Sequence, residues 1–394
     1  MWQKIKNIGH LIKAILANIW YRFPSKQMVV VGVTGTDGKT TTASLIFHIL
    51  REDKKKAALI STVSAIIGDK EFDTGFHVST PDALELQSYI KKARDAGVTH
   101  LVLEVTSHAL DQNRVYGIPF AIGVLTNISR EHLDYHQTME NYMKTKAKLL
   151  CQSKIAVLNK DDQYFDFFAN LLQDHSFKTY GLNKDADINP AVYPLQVKLL
   201  GKFNKYNVFA AAAVADCLGI SRSVVQKAVN SFSLPQGRCE VVYAKNFSVI
   251  IDFAHTPNGI KNILEAISQE KQKGRIIHVF GSAGERDKGK REEMGKISSE
   301  YADIIILTAE DPRKERVEDI ISDIQQGIKD EEKQIYVIPD RQKAITKAIN
   351  IAQKGDFVVI TGKGHEKSMN FGKGELPWSD HEAVNNALQS LNLQ

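Results

Sequence analysis

The sequence predicts an α/β protein of two domains, the second a doubly wound, Rossmann-like parallel sheet, with an amphipathic helix before them. An apolar, β-branched run at 28–33 leads into a Gly-rich loop and a helical segment, which is typical of a P-loop domain. From residue 247 to residue 360 predicted strands and helices alternate, which indicates a second parallel sheet. A turn at 235–237 separates the two regions. We therefore expect a helix at 1–27, a central domain at 28–234 and a C-terminal domain at 235–394.

The first predicted element is a helix with one apolar face. Its apolar side chains recur at helical spacing: Trp2, Ile5, Ile8, Leu11, Ile12, Ile15, Leu16, Ile19 and Trp20. The uncharged run between Lys13 and Arg22 is too short to cross a membrane, and no small-residue cleavage site follows it. Two interpretations stay open. The helix packs on the body of the protein, or it makes a weak peripheral contact with an anionic membrane.

The distribution of charge bears on the partners of the chain. Residues 1–26 hold five Lys and Arg and no Asp or Glu, and so account for the formal charge of +5 of the whole chain. Because the remaining residues are neutral overall, no nucleic-acid partner is expected. Three widely spaced cysteines exclude a disulfide framework and a Cys-rich zinc site, and they are typical of a cytoplasmic protein.

The loop after the first strand predicts a phosphate site. Its glycines allow backbone N–H groups to approach phosphate oxygens, and the helix N-terminus adds positive potential. Lys39 is expected at the β- and γ-phosphates and the Thr40 hydroxyl at Mg²⁺. Val33 stands where the standard motif begins with glycine, so the loop is a variant. The residues expected to bind ATP here are Thr34, Gly35, Thr36, Asp37, Gly38, Lys39, Thr40 and Thr41.

Ordered motifs along almost the whole chain resemble those of the Mur ligases, a family that uses ATP to join an amino acid to a carboxylate. They are TGTDGKTTT at 34–42, STPD at 79–82, EVTSH at 104–108, TNISREHLDYH at 126–136, LPQGRCE at 234–240, DFAHTPN at 252–258, GSAGERDKGKR at 281–291 and GKGHE at 362–366. The pattern resembles the MurE branch, which acts on muramoyl-peptide acceptors in peptidoglycan precursor synthesis. The resemblance implies addition of a (di)amino acid through an acyl-phosphate intermediate.

In the central domain the resemblance implies magnesium, nucleotide and acceptor ligands. Glu104 ends an apolar strand, and with His132 it matches the second of two expected Mg²⁺ sites. Lys146, on a helix predicted at 140–150, matches a lysine that the family carbamylates with CO₂. Without the resemblance, three evenly spaced lysines indicate a solvated face. The other matches are Asn127 and Asn207 for ATP, and Ser79, Thr80, Thr106, Gln112 and Arg114 for the acceptor.

The C-terminal domain is predicted to carry its polar motifs on one rim of its sheet. Strands are expected at 247–251, 275–280, 303–307, 334–338 and 356–360, with helices at 258–270, 289–299, 316–329 and 340–353. Ligands of such sheets bind at the carboxyl ends of the strands. By resemblance, ATP contacts Arg238, Asp252, His255 and Asn258, and His255 is also catalytic. The incoming amino acid is matched to Arg286, Glu310, Asp311, Arg313, Gly362 and Glu366.

One departure from the family leaves the amino acid open. Asp311 stands where the branch that uses meso-diaminopimelate has Asn, and its negative charge alters the balance beside a zwitterionic substrate. Arg313 favours meso-diaminopimelate over lysine, because a guanidinium can hold a carboxylate through two hydrogen bonds.

A second departure concerns the acceptor. Only 27 residues precede the first strand, so the domain that grips the uridine diphosphate in typical MurE-like enzymes is expected to be absent. Residues 1–26 are then expected to contribute to acceptor binding, and the acceptor is either UDP-linked or lipid-linked.

Other functions stay open beside a cytoplasmic, monomeric ligase of this kind. One is a sister ligase, folylpolyglutamate synthase-like or specific for a lipid-linked acceptor. The other is a non-enzymatic P-loop switch, which would need the phosphate loop but not Lys146, His255 or Arg313.

Overall fold

The computed structural model describes residues 2–72, 80–271, 273–330 and 332–393, with side chains from residue 6 onward. Two compact units are present: residues 1–199 with 203–233, and residues 200–202 with 234–394. None of the helices in these described ranges is long and apolar enough to cross a membrane.

The first unit contains one large sheet with helices on both faces. Its strands are β1 (Val29–Thr34), β2 (Ala57–Ile60), β3 (Ala65–Ile67), β4 (Lys70–Phe72), β5 (His100–Glu104), β6 (Phe120–Leu125), β7 (Ile155–Asn159) and β8 (Phe177–Tyr180). Its helices are α1 (Trp2–Trp20), α2 (Lys39–Glu52), α3 (Ala83–Asp95), α4 (Ser107–Asp111), α5 (Leu133–His136), α6 (Met139–Gln152), α7 (Phe165–Leu171), α8 (Lys202–Cys217) and α9 (Arg222–Ser231).

The sheet of the first unit places β1 at its centre. The strand order is β4-β3-β2-β5-β1-β6-β7-β8. Strands β2, β5, β1, β6, β7 and β8 run parallel, whereas β3 and β4 are antiparallel additions at one edge. In the central register Val33 of β1 pairs with Glu104 of β5, and Thr34 pairs with Leu125 of β6. Because parallel strands end at one edge, the segments after β1, β5 and β6 emerge side by side.

Apolar side chains alternate between the two faces of this sheet. Val102 of β5 packs in the core that contains α2, α8 and α9, whereas Leu101 and Leu103 pack in the core that contains α3. Ala210–Ala213 of α8 are buried in the first of these two cores. Their small side chains allow close packing of α8.

Helix α1 is attached to the first unit by its small side chains. Ala14 and Ala17 are fully buried against Ala83 of α3. The Asn18 side chain donates to the Tyr116 carbonyl oxygen across 2.8 Å. The helix is therefore confirmed, but the face that packs on the unit is not the apolar one.

The second unit is a doubly wound sheet. Its strands are β9 (Glu240–Ala244), β10 (Ser248–Asp252), β11 (Ile276–Phe280), β12 (Ile304–Leu307), β13 (Gln334–Val337), β14 (Phe357–Thr361), β15 (Ser368–Asn370) and β16 (Glu375–Pro377). Its helices are α10 (Pro257–Glu270), α11 (Arg291–Tyr301), α12 (Val317–Gln325), α13 (Arg341–Ile351) and α14 (Asp380–Ser390). The main sheet has the order β13-β12-β11-β14-β10-β9, and β15 pairs with β16.

All strand pairs of the main sheet are parallel except β10 with β9. Helices α13 and α14 cover one face, and α10 packs on β11 and β14 from the other. The predicted alternation is confirmed, with predicted helix 316–329 ending earlier, at Gln325. Strand β9, the β15–β16 hairpin and helix α14 are not among the predicted elements, because they are short or lie outside the βα alternation.

Candidate functional site

The phosphate loop of the first unit joins β1 to α2 and is held by the end of β6. The Thr36 N–H donates to the Asn127 carbonyl oxygen across 2.9 Å. The Asn127 amide then closes a ring with Asp37, because its Oδ1 accepts from the Asp37 N–H and its Nδ2 donates to the Asp37 carbonyl. Gly35 has φ +149°, and a Cβ there would overlap the Thr126 hydroxyl. The loop therefore has one backbone path, which requires glycine at 35.

Helix α8 supports the same loop from a different direction. The Asn207 Oδ1 accepts from the Thr42 hydroxyl at 3.2 Å, and its Nδ2 donates to Asn204 Oδ1 at 3.0 Å. Gly38 has φ +78°, and a Cβ there would overlap Asn207 Oδ1. The side chain of Asn207, which the resemblance matches to ATP, lies against the start of α2.

The first turn of α2 brings Lys39 and Thr40 to the mouth of the loop. The Lys39 Nζ donates to the Thr36 carbonyl oxygen across 2.8 Å. The Thr40 hydroxyl donates to Glu104 Oε2 across 3.0 Å. Thr34 and Thr41 are buried beside them. The cationic side chain and the hydroxyl predicted to face phosphate and metal thus lie on one turn.

Glu104 is buried at the carboxyl end of β5, with 1% of its surface exposed. Its Oε2 also accepts from the Thr62 N–H at 3.0 Å, and its Oε1 accepts from the Thr62 hydroxyl at 2.7 Å. Among the described residues, no group of three or more His, Cys, Asp or Glu side chains is arranged to hold a metal. The Glu104 carboxylate with the Thr40 hydroxyl nevertheless fits Mg²⁺, which proteins commonly bind through one or two carboxylates together with substrate phosphates.

Of the three lysines on α6, Lys146 alone is buried. Its Nζ donates to the Gly35 carbonyl oxygen at 2.7 Å and lies 4.7 Å from the centre of the Tyr142 ring. Burial, and then the charge of Lys39, hold the pKa of the Lys146 amine well below its usual value. Lys144 is exposed and pairs with Glu140, and the half-exposed Lys148 lies 3.7 Å from Asp111.

An aromatic and imidazole cluster flanks Lys146. His132 is the N-cap of α5 and has φ +56°, and its ring meets that of His108 edge-on at 4.7 Å between centroids. Burial, and then Lys146, lower the pKa of His136 to about 4. The Tyr142 hydroxyl lies 3.1 Å from the Thr36 hydroxyl and so connects this cluster to the phosphate loop. His108 and His136 stand within the sequence motifs but have no predicted role, and Tyr142 lies outside those motifs.

The predicted acceptor residues are brought together beside Glu104. The Thr80 hydroxyl donates to the Glu104 carbonyl oxygen at 3.0 Å and accepts from the Thr106 N–H at 3.1 Å. The Arg114 Nη1 donates to the Thr80 carbonyl at 2.6 Å, and its Nε and Nη2 both donate to Gln112 Oε1. Ser79, the remaining predicted contact, lies outside the described residues.

In the second unit, the predicted nucleotide residues lie around the end of β10. The Asp252 carboxylate accepts from the N–H groups of Cys239 and Ala254, both at 2.6 Å. The Arg238 guanidinium stacks 4.5 Å over the Phe253 ring, and the His255 Nδ1 lies 3.0 Å from the Phe253 carbonyl oxygen. Asn258 is half-buried in the first turn of α10.

The loops after β12 and β14 hold most of the residues that are predicted to bind the incoming amino acid. A Cβ on Gly362 would lie 2.5 Å from Glu310 Oε2. The absence of a side chain at position 362 therefore allows the two loops to approach each other. Burial raises the pKa of the Glu310 carboxyl to about 7, against the opposing charges of Lys290, Arg341 and Lys363. The Arg313 Nη1 donates to the Gly284 carbonyl at 3.3 Å. Arg286 is exposed on the neighbouring loop.

Lys363 lies at the centre of this rim, although the sequence predicts no role for it. Its side chain is fully buried, and its Nζ lies 2.8 Å from Asp311 Oδ1 and 2.5 Å from Glu366 Oε2. The charge of Asp311, which raised the question of substrate choice, is therefore offset by a buried ammonium group. The Asp311 Oδ1 also accepts from the Asn370 N–H at 3.1 Å.

Arg341 is a second residue without a predicted role, and it holds together the strand ends that form this rim. Its guanidinium makes two 2.8 Å hydrogen bonds to Asp380 and donates to the Ala309 and Thr361 carbonyl oxygens. Both side chains of the ion pair are buried. The ends of β12 and β14 are thus fixed by one charged pair.

Comparison with known proteins gives consistent matches. The Mur ligase middle domain matches residues 33–215, and the Mur ligase glutamate ligase domain matches residues 237–364. The UDP-N-acetylmuramoyl-L-alanyl-D-glutamate–2,6-diaminopimelate ligase of Aquifex aeolicus is 40% identical over 94% of this chain and 80% of its own length. The Listeria monocytogenes ligase of that name is 38% identical over 95% of this chain and 81% of its own length.

Two solved structures agree with these relatives. A ligase of the same name superposes with a TM-score of 0.63 at 30% identity, covering 94% of this chain and 81% of its own. The folylpolyglutamate synthase of Mycobacterium tuberculosis complexed with ADP and AMPPCP gives 0.69 at 16% identity, covering 90% of this chain and 96% of its own. The second likeness concerns the fold alone.

Proposed function

Because the chain belongs to the Mur ligase family, we propose that it is an ATP-dependent ligase that joins a diamino acid to a muramoyl-peptide carboxylate in peptidoglycan precursor synthesis. One observation carries the proposal: Lys39, Thr40, Glu104 and Lys146 all contact the phosphate loop or each other. We assign ATP binding to residues 28–234, the incoming amino acid to residues 235–394, and the reaction to the cytoplasm.

The proposed reaction has two steps. An acceptor carboxylate oxygen attacks the γ-phosphorus of ATP, and ADP leaves. The amine of the incoming amino acid then attacks the acyl carbon and loses a proton, and phosphate leaves. Because phosphoryl transfer depends on positioning and charge stabilisation, the fixed cation of Lys39 and the N-terminus of α2 are the groups that this chain supplies. Asn127 and Asn207 contribute by fixing the loop.

We assign Mg²⁺ to Thr40, Glu104, His132 and a carbamylated Lys146, as two sites. When bound, Mg²⁺ supplies charge neutralisation to the phosphoryl oxygens. The low pKa of the Lys146 amine supports carbamylation, since only a neutral amine reacts with CO₂. A carbamate there would be an anion beside Lys39, whose positive charge disfavours the ammonium form and favours the anion.

We assign the acceptor peptide to Thr80, Thr106, Gln112 and Arg114, with Ser79 beside them in the chain. The hydrogen bonds of Arg114 to Gln112 and Thr80 support this, because they hold a guanidinium in place beside Thr80, whose hydroxyl donates to the Glu104 carbonyl oxygen. The helix α1 contributes indirectly. Its Asn7 donates to Asp111 at 2.9 Å, next to Gln112.

In the second unit we assign Arg238, Asp252, His255 and Asn258 to the nucleotide, with His255 catalytic. The incoming amino acid is assigned to Arg286, Glu310, Asp311, Arg313, Gly362 and Glu366, and meso-diaminopimelate is proposed over lysine. Two facts support the choice. Lys363 offsets the charge of Asp311, and Arg313 remains to bind the additional carboxylate that lysine lacks.

The test is a phosphate-release screen in which UDP-linked muramoyl peptides, lipid-linked muramoyl peptides and a folate acceptor are each crossed with meso-diaminopimelate, lysine and glutamate. Ligated products are identified by mass. We expect phosphate release that requires both an acceptor ending in D-glutamate and meso-diaminopimelate. ATP hydrolysis indifferent to every pair would support a nucleotide switch instead, and product only with a folate acceptor would support the sister ligase.

A further inference from the structure

Helix α1 packs on the first unit with the face that a surface helix usually exposes to solvent. Surface helices of globular proteins bury their apolar stripe and expose their polar face. Among the α1 side chains that the structure describes, which begin at residue 6, the buried ones are Ala14, Ala17 and Asn18. The large apolar side chains are exposed instead, and they are Ile8, Ile12, Ile15, Leu16, Ile19 and Trp20.

These six side chains form one continuous stripe, which we call the outer face of α1. At 3.6 residues per turn they lie within an arc of roughly 140°, opposite the buried residues. Leu16 is 60% exposed and Trp20 is 78% exposed. Isolated apolar side chains on a surface are ordinary, but a continuous stripe of this kind indicates an interaction surface.

The polar contacts of α1 keep the outer face turned away from the unit. Lys13 forms a 3.1 Å ion pair with Asp82, the N-cap of α3, and Asn18 donates to the Tyr116 carbonyl at 2.8 Å. Asn7 bonds to Asp111 at 2.9 Å. These three anchors span most of the helix, so rotating the outer face inward would break them all.

We propose that the outer face of α1 inserts into the headgroup region of an anionic lipid bilayer. Charge complementarity selects this occupant. The segment 1–26 has five basic residues and no acidic one, while the rest of the chain is neutral overall. Lys13 lies beside the stripe, and Arg22 and Lys26 follow Trp20 at its end and are exposed. Basic residues near an anionic surface each contribute about 1 kcal/mol. An aromatic residue at the end of the stripe suits the membrane interface.

A second copy of the chain is a poorer occupant. A helix of 19 residues is roughly 28 Å long, and a stripe about 10 Å wide would bury roughly 300 Å² per copy, against about 800 Å² in a standard stable interface. Pairing the stripes would also bring two segments of charge +5 together. A bilayer removes both difficulties, because its surface is anionic and extends beyond the stripe.

The experiment measures co-sedimentation of the full chain with vesicles of pure phosphatidylcholine and of phosphatidylcholine with 30% phosphatidylglycerol. We expect binding only to the anionic vesicles, weaker at 0.5 M salt, with a blue shift of tryptophan emission. The variant Ile12→Ser/Leu16→Ser/Trp20→Ser should lose binding at least tenfold. Arg22→Gln/Lys26→Gln should weaken it about fivefold per charge.

Matched controls change equivalent side chains elsewhere. Leu171→Ser/Val192→Ser/Val241→Ser removes three exposed apolar side chains, and Lys343→Gln/Lys354→Gln removes two exposed charges. Both should bind like the wild type. Because all the substituted side chains are exposed, circular dichroism and thermal unfolding should stay unchanged in every variant.

Two results would overturn the proposal. One is no binding of the wild type to anionic vesicles at low salt. The other is a wild-type dimer, seen by sedimentation equilibrium, that the triple Ser variant converts to monomer while vesicle binding is absent or unaltered. In that case the outer face would be an interface between copies of the chain.

Discussion

Lys146 donates a hydrogen bond of 2.7 Å from its Nζ to the carbonyl oxygen of Gly35, a residue 111 positions earlier in the phosphate loop. The contact connects the middle of α6 to the turn in which β1 ends. Lys144, on the same helix, has a different environment, because its side chain is exposed and pairs with Glu140. The buried amine of Lys146 therefore has surroundings that the exposed lysines of α6 do not share.

We expect Lys146→Ala to lower the rate of phosphate release by about 10²–10³, the usual cost of one lost contact to the transition state. Millimolar short carboxylates should restore part of the rate by taking the place of the carbamate. Lys144→Ala, the exposed neighbour, should keep nearly the full rate. Full activity of the wild-type enzyme in a rigorously CO₂-free assay would contradict carbamylation.

Lys39→Ala should reduce turnover by a similar factor of about 10²–10³, because the phosphates lose their fixed cation. The measurement is coupled phosphate release at saturating acceptor and amino acid. Lys154→Ala, an exposed lysine of the same unit, serves as the control and should be unaffected. If Lys39→Ala stays within a few-fold of wild type, the assignment of the phosphate loop is wrong.

Arg313→Lys should raise the KM for the amino acid and leave the KM for ATP nearly unchanged. A guanidinium holds both oxygens of a carboxylate, and an ammonium group does not reproduce that geometry. Arg316→Lys is the matched control, since Arg316 is exposed three residues later and pairs only weakly, at 3.7 Å, with Glu318. Equal changes in both KM values would mean that Arg313 holds the nucleotide or the fold.

The stability of the second unit should depend on pH through His278. Its ring lies 2.8 Å from the Ser298 hydroxyl and 3.0 Å from the Thr361 hydroxyl. Burial, and then the charge of Arg341, lower the pKa of this imidazole to about 3. Below the unfolded pKa of about 6.5, the unfolded chain binds a proton that the folded chain does not. The free energy of unfolding should therefore decrease as the pH is lowered from about 6.5 to about 3, by up to about 1.4 kcal/mol per pH unit.

The check compares urea unfolding midpoints of wild type and His278→Gln from pH 7.5 to pH 5. The variant should be less stable at pH 7.5 and should lose less stability on acidification, so the two curves converge. His175→Gln, at an exposed histidine, should follow the wild type throughout. Parallel curves for wild type and His278→Gln would show that His278 does not cause the dependence.

The sequence predicts those parts of the site whose chemistry is local. The glycines of the phosphate loop, Lys39 and Thr40 stand in one motif, and Glu104 is recognisable because it ends an apolar strand. The parallel alternation then requires these residues to share one edge of a sheet. The identity of Lys146 came from a resemblance, because its spacing alone is that of a solvated face.

What the sequence could not predict depends on contacts between distant segments. Lys363 reads as one more charged residue in a Gly-rich loop, yet it is buried between Asp311 and Glu366. Arg341 and Asp380 pair across two helices, although the two residues are 39 positions apart in the sequence. For α1, periodicity reveals an apolar face but not the direction in which that face points.

The register of β5 has a consequence for how a chain of this kind can change over generations. Side chains alternate along the strand, so Glu104 shares the α2 side with Val102, while Leu101 and Leu103 face α3. Replacing one apolar residue of β5 by another leaves the carboxylate where it is. Losing or gaining a single residue within the strand would turn Glu104 to the opposite side, away from Thr40. We therefore expect the length of β5 to tolerate change less than the identity of its apolar residues, and insertions or deletions to fall in the connections beyond its ends.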